Sequence, residues 1–233
     1  MKTILKRLFD QFAKHTILRL SKVGKSSTRY ISLVRVGVCA LLLSLSSVVT
    51  ARPDVILVLG DSLSAEYGLQ RNTGWVEKMR QALNQSRPGT QIINASISGD
   101  TTSGGLTRLP ALLQQHQPSW VILELGANDG LRGFSIVNIE QNLDRLIQTS
   151  LQNKAKVLVI GMRIPPNYGQ TYSEQFFQLF KTAAQRHKAA YVSFLLEGVI
   201  DHPDWFQQDH IHPTEQAQET IMKNVYNVWL KQK

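Results

Sequence analysis

The residues most able to do chemistry in this chain are a serine, two histidines and several aspartates set in glycine-bearing turns. Ser62 lies in Gly60-Asp61-Ser62-Leu63, two residues beyond a strongly apolar run. A serine hydroxyl becomes a useful nucleophile only when a neighbouring base takes its proton. Asp209-x-x-His212-Pro213 offers such a base within one turn, with a carboxylate spaced to hold the far ring nitrogen and fix the tautomer. His210 is the rival base, but it adjoins Asp209 and its side chain should diverge from it, leaving it exposed or on a pocket wall. Asp61 and Asp129 are further acids, each expected to brace its own turn through backbone N–H groups. Taken alone, Ser62 also reads as a helix N-cap and His212 as a surface-loop histidine.

Acyl transfer also needs donors aimed at a developing oxyanion. Gly99, in Ser98-Gly99-Asp100, can present a backbone N–H with no side chain in the way, and Asn128, in Gly126-Ala127-Asn128-Asp129-Gly130, can offer its amide. The N–H of Ser62 itself would be a third donor. Singly, Gly99 and Asn128 are ordinary turn residues. Their common placement needs the elements that carry them.

From Asp54 onward short β-rich runs alternate with amphipathic stretches. Strands are expected at Val55–Leu59, Gln91–Asn94, Trp120–Leu125, Lys156–Ile160 and Ala190–Phe194. Their apolar residues are nearly continuous, the pattern of strands buried on both faces of a parallel sheet. Helices are expected at Gly74–Gln85, Ser103–Gln115, Asn138–Gln152, Ser173–His187 and Thr214–Trp229. Strict alternation implies an α/β fold, a three-layer α/β/α sandwich around a five-stranded parallel sheet with right-handed crossovers. In such a sheet ligands bind beyond the carboxyl ends of the strands. The turns holding Ser62, Gly99 and Asn128 follow strands one, two and three, and the Asp209–His212 turn precedes the last helix. Packing alone does not explain that gathering.

These four blocks resemble the motif blocks of the SGNH (GDSL) hydrolases. The closer likeness is to the bacterial arylesterase and acyl-CoA thioesterase I group, also described as lysophospholipase L1. Asn94 to Thr101, Arg108 to Leu113, Gln115-His116-Gln117-Pro118 and Asn167-Tyr168-Gly169 add to it. The resemblance spans Asp54 to the C-terminus. It implies a flavodoxin-like SGNH fold, Ser62 as nucleophile, Asp209 and His212 completing a triad, and Gly99 and Asn128 as oxyanion donors. The implied substrates are small acyl esters or thioesters. Two positions depart from the group, Glu66 and His210, where glycine is common. Both are expected near the site's mouth, where they bear on substrate preference. Tyr67 and the Ile164–Gly169 loop are candidates for touching substrate.

Composition bears on the other function classes. The net charge is +9, yet residues 1–52 hold ten of the 26 basic and one of the 17 acidic residues. The rest of the chain carries 16 of each, so the folded part has no net pull toward nucleic acid. The basic segment leads into an apolar run of 14 residues, Val36–Val49, and then Val49-Thr50-Ala51. That order reads as a targeting segment, residues 1–51, cleaved after Ala51 to leave a hydrolase domain over 52–233. Export to the periplasm or medium follows; a signal anchor is the alternative, although the run falls short of the ~20 residues a span needs. The only cysteine, Cys39, lies in the run without a small residue before it, which argues against lipidation. A monomer needing no cofactor is expected, touching membrane only through the leader or a lipid substrate. Three rival readings remain: a metallohydrolase built on Asp209, His210 and His212 with Asp61 or Asp129, a flavin or nucleotide carrier, and a carbohydrate O-acetylesterase.

Overall fold

A computed structural model describes residues 54–232. The proposed leader, Cys39 and the cleavage site lie outside the described residues. Five strands, β1 (Val55–Gly60), β2 (Gln91–Asn94), β3 (Trp120–Glu124), β4 (Lys156–Ile160) and β5 (Ala190–Val192), form one sheet in the order β2-β1-β3-β4-β5. Every pairing is parallel. The α-helices are α1 (Trp75–Ser86), α2 (Thr102–His116), α3 (Ala127–Leu131), α4 (Ile136–Gln152), α5 (Gln170–Arg186) and α6 (Gln218–Leu230).

Central strands β1 and β3 are buried on both faces, which is why their sequences are unbroken in apolar residues. Helices α2, α4 and α5 pack side by side on one face, while α1 and α6 pair on the other. Their inward stripes, such as Ile139, Leu143, Leu146 and Ile147 of α4, complete the core with Trp75, Phe176, Phe180 and Trp229. The architecture is the expected three-layer α/β/α sandwich.

Several details differ from the sequence reading: the last helix begins at Gln218 rather than Thr214, after a 3-10 turn over Glu215–Ala217, and α5 begins three residues earlier than expected, at Gln170. β5 stops at Val192, because beyond it the chain peels away and Leu195 N–H bonds the Gly161 carbonyl outside the ladder. The Gly-Ala-Asn-Asp-Gly block contains the short helix α3, entered through Gly126 at φ 120°, a backbone angle that favours glycine. The strand order reverses between β1 and β3, so the crevice of this topology opens at their carboxyl ends. Ser62 and Asn128 follow those two strands directly.

Candidate active site

Ser62 does not cap a helix. It lies in a series of turns after β1, with Ala65 N–H bonded to the Asp61 carbonyl at 3.0 Å and Tyr67 N–H to the Ser62 carbonyl at 3.3 Å. Its Oγ is 2.8 Å from His212 Nε2, across 150 residues of sequence. On the other side of the ring, Nδ1 is 2.7 Å from Asp209 Oδ2. Asp209 Oδ1 accepts the backbone N–H groups of Ile211 at 2.9 Å and His212 at 3.0 Å. Burial pushes the Asp209 carboxyl up, but the His212 N–H, the His212 ring and the Ile211 N–H together hold it down at about 2. The carboxylate is therefore ionised at neutral pH and favours a proton on Nδ1, leaving Nε2 to accept from Ser62.

His210 stands on the wall of the adjoining groove, and its backbone φ is 57°. Tyr67 lies over His212, ring centroids 4.4 Å apart. Gln207 links the two loops: its N–H bonds the His212 carbonyl at 2.8 Å, and its amide donates to the Tyr67 carbonyl at 2.9 Å and the Pro213 carbonyl at 3.2 Å. No sequence signal marked Gln207, since its partners are carbonyls on separate segments.

Gly99 takes φ 79°, and its carbonyl accepts Arg132 Nη2–H at 3.1 Å. The turn that presents it is braced by Arg108, which reaches Asp100 Oδ2 and the Ala95 carbonyl, the latter at 2.7 Å. Asn128 donates one amide hydrogen to Asp61 Oδ2 at 3.0 Å, which leaves its second for a ligand. Asp61 is 1% exposed and also accepts the Leu63 N–H at 3.1 Å, so it braces its own turn and the asparagine together. Burial raises its pKa to about 6, against the pull of Leu63, Asn128 and His212. Asp129 departs from expectation. Its carboxylate holds not its own turn but Thr102, N–H at 2.9 Å and Oγ1 at 2.6 Å, and so ties the start of α2 to α3. Glu124, at the end of β3, is fully buried beneath the Ser62 turn and was not singled out from sequence.

A groove of about 1060 Å³ runs from Leu63 past Met162, Ile164, Phe177, Leu196 and Ile200. The Ile164–Asn167 segment and Tyr168 line it, as does Arg163, whose guanidinium lies 3.9 Å from the centre of the Phe177 ring. Glu66 is not part of this lining. Its carboxylate folds back to accept the N–H groups of Asn72 at 3.1 Å and Gly74 at 2.9 Å. Among the described residues no three acidic, histidine or cysteine side chains converge as metal ligands would.

The GDSL-like Lipase/Acylhydrolase family profile matches residues 58–220. Esterase TesA of Pseudomonas aeruginosa is 44% identical over 176 residues, covering 76% of this chain and 88% of that protein. Thioesterase 1/protease 1/lysophospholipase L1 of Escherichia coli strain K12 is 44% identical over 171 residues, covering 73% and 81%. A crystal structure of TesA superposes with TM-score 0.73 at 43% identity, covering 75% of this chain and 97% of that one. The psychrotrophic esterase EstA from Pseudoalteromonas sp., in a structure inhibited by monoethylphosphonate, gives 0.74 at 40% identity, covering 77% and 98%. A serine on an imidazole on a carboxylate, at the switch point of this sheet, thus occurs in a chain that belongs to the GDSL-like lipase/acylhydrolase (SGNH) family and is an ester hydrolase.

Proposed function

We propose that the chain hydrolyses acyl esters and thioesters in two steps through Ser62, with His212 as general base and Asp209 as its orienting carboxylate. The observation that carries this is the unbroken contact from Ser62 Oγ through His212 to Asp209, at 2.8 and 2.7 Å. His212 Nε2 takes the Ser62 proton as Oγ bonds to the carbonyl carbon. The oxyanion rests on the Ser62 N–H, the Gly99 N–H and the second amide hydrogen of Asn128. As the tetrahedral species collapses, the leaving alkoxide or thiolate receives the proton from His212. Water, deprotonated by the same nitrogen, then attacks the acyl-serine, and as the acid is released His212 returns that proton to the departing Ser62 Oγ.

The apolar groove beginning at Leu63 favours acyl groups longer than acetyl, because burying each further CH₂ contributes about 0.8 kcal/mol. This speaks against the carbohydrate O-acetylesterase reading. Names among the relatives, esterase, arylesterase, thioesterase 1 and lysophospholipase L1, agree with such substrates. We assign residues 1–51 to a cleaved export leader and 52–233 to a monomeric hydrolase domain. No helix among the described residues is long and apolar enough to cross a membrane. Mass spectrometry of native material should find a mature chain starting near Arg52; an intact leader on cytosolic protein would refute the assignment.

The test of the reaction is chemical. A fluorophosphonate should label wild type on Ser62, and Ser62→Ala should lose both label and activity while keeping its circular dichroism. Label on Ser64 or Ser98 would displace the nucleophile. Initial rates on p-nitrophenyl esters of two to sixteen carbons should rise beyond acetate; a maximum at acetate would restore the deacetylase.

A further inference from the structure

Beneath the Ser62 turn lies a network that the two-step reaction does not use. Glu124 pairs in register with Gly60 across β3 and β1, and none of it is exposed. Its Oε2 accepts the Ser64 hydroxyl at 2.6 Å and the Asp61 N–H at 3.2 Å. Ser64 Oγ in turn accepts Trp75 Nε1–H at 3.2 Å, and the Ser64 carbonyl accepts Asn94 Nδ2–H at 2.7 Å. A Cβ at Gly60 would come within 2.5 Å of Glu124 Oε2 and 2.9 Å of both Ser64 Oγ and Ser96 Oγ, so glycine is required there.

The other carboxyl oxygen, Oε1, is equally buried and receives no donor among the described residues. An ionised carboxylate left half-satisfied in the core would be costly. The ionisable group facing Glu124 is Asp61, and beyond Asp61 stands His212; Ser64, Ser96 and Trp75 carry no charge. Two adjoining carboxyls sealed from water cannot both ionise cheaply. Asp61 has two donors of its own, Leu63 N–H and Asn128 Nδ2–H, so the charge belongs there and the proton on Glu124. Burial, then the Asp61 charge, push the Glu124 carboxyl well above its usual range. Protonation turns Oε1 from an unmatched acceptor into a donor.

We propose that Glu124 is a positioning residue which, as a neutral acid, donates to the Asp61 carboxylate and so fixes the Asn128 amide and the Ser62 turn for catalysis. It holds the Asp61 N–H through Oε2 and the Asp61 side chain through its proton. Asp61 then holds Asn128 from one side and Leu63 N–H from the other. Neutrality also spares the site a second negative charge beneath the place where an oxyanion forms. This rests on Ser62 and Asn128 acting as proposed above.

The experiment compares Glu124→Gln with Glu124→Ala on a p-nitrophenyl ester, with melting temperatures and Ser62→Ala alongside. Glutamine reproduces the neutral acid: its oxygen accepts from Ser64 and Asp61 N–H, and its amide donates to Asp61. It should keep kcat within about threefold, whereas alanine should lower kcat by about 10²–10³ at little-changed KM, the scale of losing one oxyanion donor. Infrared difference spectra of Glu124→Gln against wild type should show loss of a protonated-carboxyl band at neutral pH. Glutamine as inactive as alanine, alanine as active as wild type, or no band to lose would each overturn the proposal. Should the alanine variant fail to fold, glutamine and the infrared band still decide. Activity surviving in Ser62→Ala would instead overturn the reaction on which the proposal rests, while the band reports on Glu124 alone.

Discussion

Replacing Asp209 by asparagine isolates what the carboxylate does for His212. The two oxygens have separate tasks: Oδ1 accepts two backbone N–H groups, and Oδ2 faces His212 Nδ1 at 2.7 Å. In Asp209→Asn the amide oxygen can keep the backbone bonds, so the turn survives. The amide NH₂ then faces Nδ1 and makes it an acceptor. The ring proton moves to Nε2, 2.8 Å from Ser62 Oγ, where a base must be bare. The wrong tautomer costs kcat about 10⁴-fold in the serine protease from which the rule was drawn, or about 5.5 kcal/mol of barrier. Asp209→Ala removes the orienting carboxylate but forces no tautomer, so it should be no worse than asparagine despite being the larger truncation. Initial rates on a p-nitrophenyl ester, with fluorophosphonate labelling rates and denaturation midpoints, make the comparison. An asparagine variant retaining a tenth of wild-type kcat, or clearly outperforming alanine, would refute the tautomer argument.

Two further predictions concern the histidines and pH. His212→Ala should cost several orders of magnitude in rate and His210→Ala less than about tenfold, since removing a triad member leaves only oxyanion donors and binding; the reverse order, from the same rate assay, would move the base to His210. Stability should respond to pH in opposite senses at two aspartates. Asp61 has a folded value of about 6 against an ordinary 3.8, so its charged form opposes folding and stability rises as pH falls from about 6 toward 4. Asp209, at about 2, contributes stability above its ordinary 3.8 that is lost as pH falls through about 2. Its side chain is 37% exposed, so that contribution is discounted to about 1 kcal/mol or less. Denaturation midpoints of wild type and Asp61→Asn across this range check both signs; an unchanged rise between pH 6 and 4 in Asp61→Asn would remove Asp61 as its cause.

The sheet was legible because burial on both faces leaves strands such as Val55–Gly60 no polar position to obscure them. That the turns carrying Ser62, Gly99 and Asn128 leave the sheet at one edge was legible for a topological reason: parallel strands deliver every following turn to the same edge. Pairings across that edge were not. Asp129 holds Thr102, and Gln207 spans Tyr67 and Pro213, through contacts without a fixed sequence spacing. Glu124 left a trace that went unused. A carboxyl in Trp-Val-Ile-Leu-Glu, within a strand buried on both faces, must be neutral, paired or both. The block Gly126–Gly130 reads as a turn because two glycines bracket it, yet Gly126 alone performs the turn and the rest coils into α3.

The departures at Glu66 and His210 yield a last prediction, in which the same substitution has opposite effects. Both residues occupy the left-handed region, φ 59° and 57°, where glycine is favoured. A side chain in that region costs about 1–2 kcal/mol, and glycine returns part of the relief as unfolded-state entropy, about 0.4–1 kcal/mol. Among the described residues the His210 ring makes no hydrogen bond, so nothing offsets its strain. His210→Gly should therefore stabilise the fold by about 0.5–1 kcal/mol, a Tm gain of about 1–4 °C in a domain of this size. Glu66 offsets its strain by accepting the Asn72 and Gly74 N–H groups, the second at the entry to α1. Losing two such bonds costs about 1–3 kcal/mol, so Glu66→Gly should be neutral or destabilising. Only His210 lines the groove, so only His210→Gly should alter the chain-length profile. Calorimetry on the two variants, with rates on short and long esters, tests both halves of the contrast. Equal gains in Tm would show that the Glu66 hydrogen bonds contribute nothing, and a chain-length change in Glu66→Gly alone would relocate the substrate's path.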